Sequence, residues 1–200
     1  MVTKTDKEDE KEEKKEKKLE RWQDRFKFFY EHDIDVKTRT IRIVGTIGHA
    51  TDFEFIDSAL SVLESESRKA ITIKINSGGG AVYEALAIVG RMKASRCQII
   101  TEGYGHVMSA ATLILAAGNR RRMSKYATFM HHESSYMVGG SHSQVKEEIE
   151  QMEKEEELWS GWMEELTTTD ASDWRKFAHK KNLYLTAEEC IKHGVIDEVF

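Results

Sequence analysis

Beyond its N-terminal segment, the sequence alternates between the hydrophobic period of strands and that of helices. Residues 40–47, 70–76 and 97–104 are short apolar segments with strand character. Residues 52–64 and 82–92 instead carry apolar side chains three and four positions apart, the spacing of a helix face. Strands that alternate with helices form a mainly parallel sheet through right-handed crossovers, with the helices packed on the sheet. The alternation therefore predicts a layered α/β domain.

Two further segments extend this pattern. Residues 126–132 form another predicted strand, which ends in two adjacent histidines. Residues 143–166 form a long predicted helix that is rich in Glu and Lys and has apolar side chains along one stripe. A single small domain offers too little surface to cover a helix of this length. We therefore expect part of it to project and to pack against another subunit.

The N-terminal segment differs in composition from the rest of the chain. Residues 1–18 are dominated by Lys, Glu and Asp, and such a segment buries too little apolar surface to offset the entropy of ordering. We expect a disordered, solvated tail, with a helix supported by Glu–Lys pairs as the alternative. Residues 19–36 are amphipathic and rich in aromatic side chains, so they dock either on the domain or on a neighbouring subunit. The main domain then spans residues 37–200.

Composition narrows the range of partners. With 200 residues, of which 40% are hydrophobic, the chain can bury one sizeable core. Its formal net charge of −5 provides no positive field for nucleic acid, and its apolar run at residues 110–117 is far too short to span a bilayer. Cys97 and Cys190 belong to no Cys/His cluster, which indicates packed thiols. We expect a cytoplasmic protein without metal or cofactor that binds neither nucleic acid nor membranes.

The segment INSGGG, residues 75–80, ends a predicted strand in three glycines. Backbone N–H groups in such a turn are unobstructed by side chains and can bind an anion, although glycines between a strand and a helix also serve close packing. The segment lacks the Lys-Ser/Thr pair of a P-loop and the G-x-G-x-x-G spacing of a dinucleotide-binding turn. Neither nucleotide-binding motif applies to it.

Ser109 stands between a predicted strand and the small apolar helix that follows. A serine at this position is either an ordinary N-cap or a nucleophile whose hydroxyl lies beside free backbone N–H groups. A nucleophile needs a base, and His131 and His132 end the next predicted strand. The local pattern alone leaves both interpretations open.

Four segments, in the same order, resemble the Clp protease proteolytic-subunit family: INSGGG, GHVMSAATLILAAG, TFMHHE and LTAEECIKHGVIDEVF. The resemblance covers the chain from about Thr40 to its end. It implies the layered β-α-β superhelix that this family shares with crotonases, with residues 143–166 as a projecting "handle" helix. It also implies a serine endopeptidase that cleaves polypeptides, assembles as stacked, heptameric homo-oligomeric rings, and receives substrate from an ATP-driven unfoldase.

Carried over residue by residue, the resemblance makes Ser109 the nucleophile and His132 its general base. The backbone N–H groups of Gly80 and Ala110 become the oxyanion donors. His131 competes with His132, but alignment of the neighbouring methionine favours His132, and strand alternation places His131 on the opposite face. Gly78 replaces the family's proline, which loosens the turn but leaves its donors in place.

The third triad position departs from the family, because Asn182 replaces the orienting Asp. In a serine protease this change costs about four orders of magnitude in rate, although Asn orients the histidine of papain-like proteases. Asp170 and Asp173 are possible substitutes, but they fall in the region that aligns with the preceding helix. We expect Asn182 to hold the histidine by a hydrogen bond.

Three functions follow from these residues. The first is the ring-forming serine endopeptidase, either a housekeeping enzyme or a phage-type relative that acts during head assembly. The second, which Asn182 favours, is a catalytically weak or inactive ring subunit with a structural role. The third is a crotonase-like acyl-CoA enzyme, which would share the fold and the backbone oxyanion donors but would not require a pair of Ser109 and His132.

Overall fold

The computed structural model describes residues 4–48 and 51–200. The helices are α1 (Lys4–His32), α2 (Thr51–Glu66), α3 (Val82–Lys93), α4 (Ala111–Ala116), α5 (His142–Leu166), α6 (Ala171–Ala178) and α7 (Ala187–Lys192). The strands are β1 (Ile34–Asp35), β2 (Thr40–Ile47), β3 (Ile71–Gly80), β4 (Ile99–Met108), β5 (Arg120–Met123), β6 (Thr128–His131), β7 (Leu183–Leu185) and β8 (Glu198–Val199). This order confirms the predicted α/β alternation. No helix within these two ranges is long and apolar enough to cross a membrane.

One mixed sheet organises the domain. Its strands lie in the order β1-β2-β3-β4-β5-β8, while β6 pairs with β4 and β7 pairs with β6. The strand β4 pairs in parallel with two strands in succession: residues 100–103 pair with β5, and residues 106–108 pair with β6. Gly105 lies at the point of change with a φ of 53°, and a Cβ there would be 2.7 Å from the Asn76 side-chain oxygen. The sheet thus divides along β4, just before Ser109.

The helix α4 lies wholly inside the core, with all of its residues buried. Complete burial of a side chain such as Leu113 or Leu115 contributes about 1.5–3 kcal/mol. Two hydroxyls at this helix are satisfied by backbone carbonyls, since Thr112 donates to Ser109 at 2.6 Å and Thr101 donates to Leu115 at 2.7 Å. The packing and these hydrogen bonds together fix the helix that follows Ser109.

The N-terminal region forms one helix. The helix α1 includes the charged segment from Lys4 onward, so the structure gives the helical alternative to the expected disordered tail; residues 1–3 lie outside the described residues. The side chains of Glu13 and Lys17 form an ion pair with i,i+4 spacing, which supports an exposed helix. Residues 11 and 13–18 of the charged segment are exposed, as expected, but they belong to a helix.

The last turns of α1 dock on the domain. Arg25 forms an ion pair with Asp35 in β1, and the guanidinium of Arg42 in β2 lies 4.3 Å from the centre of the Phe29 ring. Other large apolar side chains of the helix remain at least half exposed: Leu19, Trp22, Phe26 and Phe28. The amphipathic segment therefore rests on its own domain while leaving apolar surface uncovered.

The helix α5 combines an exposed first half with a packed second half. It begins at a capping box, in which the Ser141 N–H donates to the Gln144 side-chain oxygen at 2.9 Å. Its second half buries Trp159 and Met163 and packs against α6 and α4. Only the first half is left to project.

The glycine turn belongs to a strand, which differs from the prediction that the strand ends before it. The strand β3 continues to Gly80, and β2 pairs with it through Thr46 opposite Gly79 and Ile47 opposite Gly80. The register of this pairing shifts between Val44 and Thr46. The glycines are thus held beside β2 by strand pairing, at the same end of the sheet as Ser109.

Candidate active site

Ser109 joins β4 to α4 with a left-handed backbone, at a φ of 53°. A residue with a side chain rarely adopts this conformation unless its surroundings enforce it, and such residues cluster at active sites. The Ser109 N–H donates to the Met130 carbonyl at 2.9 Å, and the Ser109 carbonyl accepts from the Thr112 N–H at 2.9 Å. The strand β6, which ends at His131, therefore holds the serine backbone directly.

His132 follows the last residue of β6 and has a half-buried ring. Its Nε2 atom lies 2.9 Å from the Ser109 Oγ atom. In the tautomer with its proton on Nδ1, Nε2 accepts the serine proton, which is the contact that activates a nucleophile. Burial lowers the pKa of His132 below its ordinary value and thereby favours the neutral imidazole that a base requires.

His131 faces the other way, into the core. Its side chain is 1% exposed, and its ring lies 5.0 Å from the Trp174 ring and 6.0 Å from the Trp159 ring, measured between centroids. Burial is the main cause that lowers the pKa of His131 to about 4. The two histidines thus occupy opposite faces of the strand end, and the contact with Ser109 belongs to His132.

The glycine end of β3 packs directly against Ser109. A Cβ atom added to Gly79 would lie 2.6 Å from the Ser109 Cβ and 2.8 Å from the Ala110 nitrogen. The next residue, Gly80, has a φ of 145°, and a Cβ there would overlap the Ile47 carbonyl oxygen. Gly79 therefore lies against both Ser109 and the first backbone N–H group after it, while the adjacent Gly80 lies against Ile47 of β2.

Asn182 lies beside the strand that ends at His131. The strands β6 and β7 are antiparallel, with His131 opposite Leu183, so continuation of this register brings Asn182 opposite His132. The Asn182 side chain is exposed, and its Nδ2 atom donates to the Tyr184 hydroxyl at 3.4 Å. The register brings the third position near the base, but the hydrogen bond of Asn182 in this structure is made to Tyr184.

The two alternative acids lie on α6. Asp170 is the N-cap residue of this helix, and Asp173 forms an ion pair with Lys176 at 3.0 Å. Both therefore have helix-terminal or surface roles, as the alignment with the preceding helix predicts. Within residues 4–48 and 51–200, no group of three or more His, Cys, Asp or Glu side chains is arranged to hold a metal ion.

Sequence reasoning missed two contributors to this site. The sequence pattern assigns Gly79 only to a turn, although its lack of a side chain is what lets β3 approach Ser109. No motif indicates Tyr184, although its hydroxyl accepts from Asn182. Strand alternation would have placed Tyr184 on the same face as Asn182, two residues away.

The fold and this geometry define a class of protein. An α/β domain that holds a left-handed serine within hydrogen-bond distance of a histidine, beside glycine backbone, has the arrangement of a serine hydrolase.

Comparison with known proteins gives the particular family. The model of the family described as Clp protease matches residues 18–200. Among similar proteins is the ATP-dependent Clp protease proteolytic subunit 1 of Rhodococcus jostii, with 31% identity over 144 residues, which cover 70% of this chain and 65% of that protein. The proteolytic subunit 3 of Nocardia farcinica is 34% identical over 154 residues, covering 72% and 67%. The chain belongs to the Clp protease family, and its fold is the mixed α/β fold of that family.

Proposed function

We propose that this protein is a serine endopeptidase that cleaves polypeptides through an acyl-enzyme on Ser109. The observation that carries the proposal is the 2.9 Å contact between Ser109 Oγ and His132 Nε2, at a serine whose left-handed backbone lies against the Gly79 and Gly80 turn. An ordinary N-cap serine would need neither the strained backbone nor a histidine partner.

The chemistry takes two steps that use the same two side chains. His132 Nε2 accepts the Ser109 hydroxyl proton while Oγ attacks the carbonyl carbon of the scissile peptide, and the protonated histidine then delivers that proton to the leaving amine. In the second step, His132 accepts a proton from water, the resulting hydroxide attacks the acyl group, and the proton returns to Ser109 Oγ. The polypeptide leaves as two products, and the enzyme is restored.

The backbone N–H groups of Gly80 and Ala110 are the proposed oxyanion donors. The close approach of Gly79 to the Ala110 nitrogen supports this assignment, because it brings the end of β3 and the start of α4 to one side of Ser109. Donors that are fixed before the reaction stabilise the charge that develops on the substrate oxygen without reorganisation. An extended substrate would add beside the glycine strand by main-chain hydrogen bonds.

Asn182 is the proposed orienting residue. When its Nδ2 group donates to Tyr184, its Oδ1 atom remains the acceptor, and the strand register places this residue opposite His132. An Asn182 rotamer that brings Oδ1 to the His132 Nδ1–H group would select the tautomer that leaves Nε2 free to accept the serine proton. A neutral amide stabilises the imidazolium less than a carboxylate does, so we expect a slow enzyme.

The proposal extends to the oligomeric state of the protein and to its partner proteins. The relatives named above are proteolytic subunits of ATP-dependent Clp proteases. We infer that this chain forms stacked homo-oligomeric rings, seven-membered as in the family, in the cytoplasm, with unfolded polypeptides delivered by a separate ATP-driven unfoldase. The exposed first half of α5 and the uncovered apolar side chains of α1 are surfaces available for contacts between subunits.

Labelling with a fluorophosphonate probe tests the proposal. The assembled wild-type protein should be labelled and should cleave an unfolded protein, whereas Ser109→Ala should abolish both and His132→Ala should slow labelling by at least about a hundredfold. His131→Asn is the matched control and should be labelled at a rate close to that of the wild type. Absence of serine-dependent labelling in an assembled particle would instead favour the second candidate, a structural ring subunit, which the exposed Asn182 side chain supports.

A further inference from the structure

A small cavity lies behind the catalytic pair, between the end of β6 and the helices α5 and α6. Its volume is about 40 Å³, and His131, His132, Glu156, Trp159 and Ser160 are among the residues that line it. A cavity needs roughly 10–15 Å³ of such space to hold one water molecule. The cavity is therefore large enough for a water but too small for a substrate side chain of ordinary size.

Two of the side chains that line this cavity each carry a buried ring nitrogen without a hydrogen-bond partner among the described residues. His131 Nδ1 and Trp159 Nε1 have no hydrogen bond to any part of the chain that the structure describes. The two side chains are 1% and 6% exposed, so bulk solvent does not satisfy them. Their ring centroids lie 6.0 Å apart. Buried polar groups are almost always paired with protein or with ordered water, and a pair of unsatisfied atoms on one cavity calls for a common partner.

The chemistry of the two atoms is complementary through a water. The indole nitrogen is a donor only, whereas the neutral imidazole that burial favours at His131 offers an acceptor at Nδ1 when its proton is on Nε2. A water can accept from the indole N–H and donate to Nδ1. The neighbouring Ser160 hydroxyl already donates to the Glu156 carbonyl at 3.0 Å, so its oxygen remains able to accept the second water proton.

We propose that this cavity binds one ordered water, which bridges Trp159 Nε1 and His131 Nδ1 and makes these two side chains positioning residues for His132. The role in catalysis rests on the proposed function, whereas the water site itself does not.

The position of His131 in the sheet explains why the bridge would matter. The pairing of β6 with β7 ends at His131 opposite Leu183, so His132 is the first residue beyond the ladder. Trp174 packs against one side of the His131 ring. The water adds a polar tie to α5 through Trp159. Together they fix the residue next to the base, and with it the direction in which the His132 ring leaves the strand.

A crystal structure at a resolution that shows buried waters tests the site directly. We expect density for one water within about 3.2 Å of both nitrogen atoms. A cavity without density, in a map where other buried waters are visible, would overturn the proposal. This result does not depend on whether Ser109 reacts with a probe, so it separates the water site from the proposed function.

Fluorophosphonate labelling of the assembled protein tests the positioning role. Trp159→Phe keeps a ring but removes the donor, and His131→Leu removes the acceptor, so each should slow labelling about three- to tenfold, the loss expected for one hydrogen bond. His131→Asn, which retains an acceptor at the δ position, should restore most of the rate. Trp162→Phe, on the same helix, is the control for loss of an indole.

The double variant separates a bridge from independent packing effects. If one water joins the two residues, His131→Leu combined with Trp159→Phe should be hardly slower than either single variant. Multiplied effects, or single variants that lower the melting temperature but leave the labelling rate unchanged, would show that the two side chains only fill space.

Discussion

The contact between Ser109 and His132 depends on hydrogen bonds of the backbone that place the two side chains next to each other. The Met130 carbonyl accepts from the Ser109 N–H, and His132 follows Met130 by two residues. The end of β6 therefore positions both the proposed nucleophile and the proposed base. Burial then keeps the imidazole neutral by lowering its pKa. In the proposed catalytic site, His132 has no carboxylate partner, because Asn182 is the residue at the proposed orienting position.

Replacement of Asn182 by Asp tests this point. A carboxylate opposite His132 would stabilise the imidazolium that forms in the transition state, so Asn182→Asp should raise the rate of peptide cleavage by at least about tenfold. Peptidase assays on assembled particles measure this rate. Asn182→Ala should be slower than the wild type, since it loses the amide acceptor. If Asn182→Ala cleaves the peptide at the wild-type rate, Asn182 does not orient the histidine.

The pH dependence of the cleavage rate tests whether residue 182 changes the pKa of His132. Activity needs neutral His132, so the rate falls as the pH drops through the pKa of this group. Because burial lowers that pKa, the acid limb of the wild type should lie below the ordinary histidine value of about 6.5. Asn182→Asp favours the charged imidazole and should move the limb to higher pH. A limb that stays fixed would show that position 182 does not sense the charge of His132.

Among the contacts between secondary-structure elements, the packing of the end of β3 against the start of α4 builds the proposed site. It brings glycine backbone against Ser109, and it depends on the absence of a side chain at Gly79, which also has a φ of 89°. Motif order predicted that the glycine turn and Ser109 belong to one site. It could not predict which glycine makes the contact, because that depends on the register shift between β2 and β3.

Gly79→Ala should therefore abolish labelling of Ser109, with a loss of at least about a hundredfold, because the new methyl group would displace Ser109 and the Ala110 N–H. Gly90→Ala is the matched control, since a Cβ at this position of α3 meets nothing within 4 Å and alanine favours a helix. Circular dichroism should show that both variants are folded. A folded Gly79→Ala protein that is labelled at the wild-type rate would contradict the assigned site.

At the scale of the whole molecule, sequence patterns predicted the α/β alternation, because buried strands and helices differ in hydrophobic period. The left-handed Ser109 was not predictable from its residue type, since it is held by a tertiary hydrogen bond to Met130 together with a local one to Thr112. The charged N-terminal region was ambiguous for a physical reason: its composition disfavours a core, but its i,i+4 pairs favour a helix. The orientation of the Asn182 amide likewise depends on Tyr184 in the folded chain.

Deletion of residues 1–18 tests whether the charged part of α1 is separable from the domain. Its described side chains are exposed, and the Clp protease match begins only at residue 18. The helix contact with the domain lies further along, where Arg25 pairs with Asp35. The shortened protein should keep its melting temperature, its labelling rate and the number of subunits per assembled particle, measured by sedimentation equilibrium. Arg25→Ala, which removes the docking contact, should lower the melting temperature. Dissociation of the particle on deletion would instead make the charged helix part of the assembly interface.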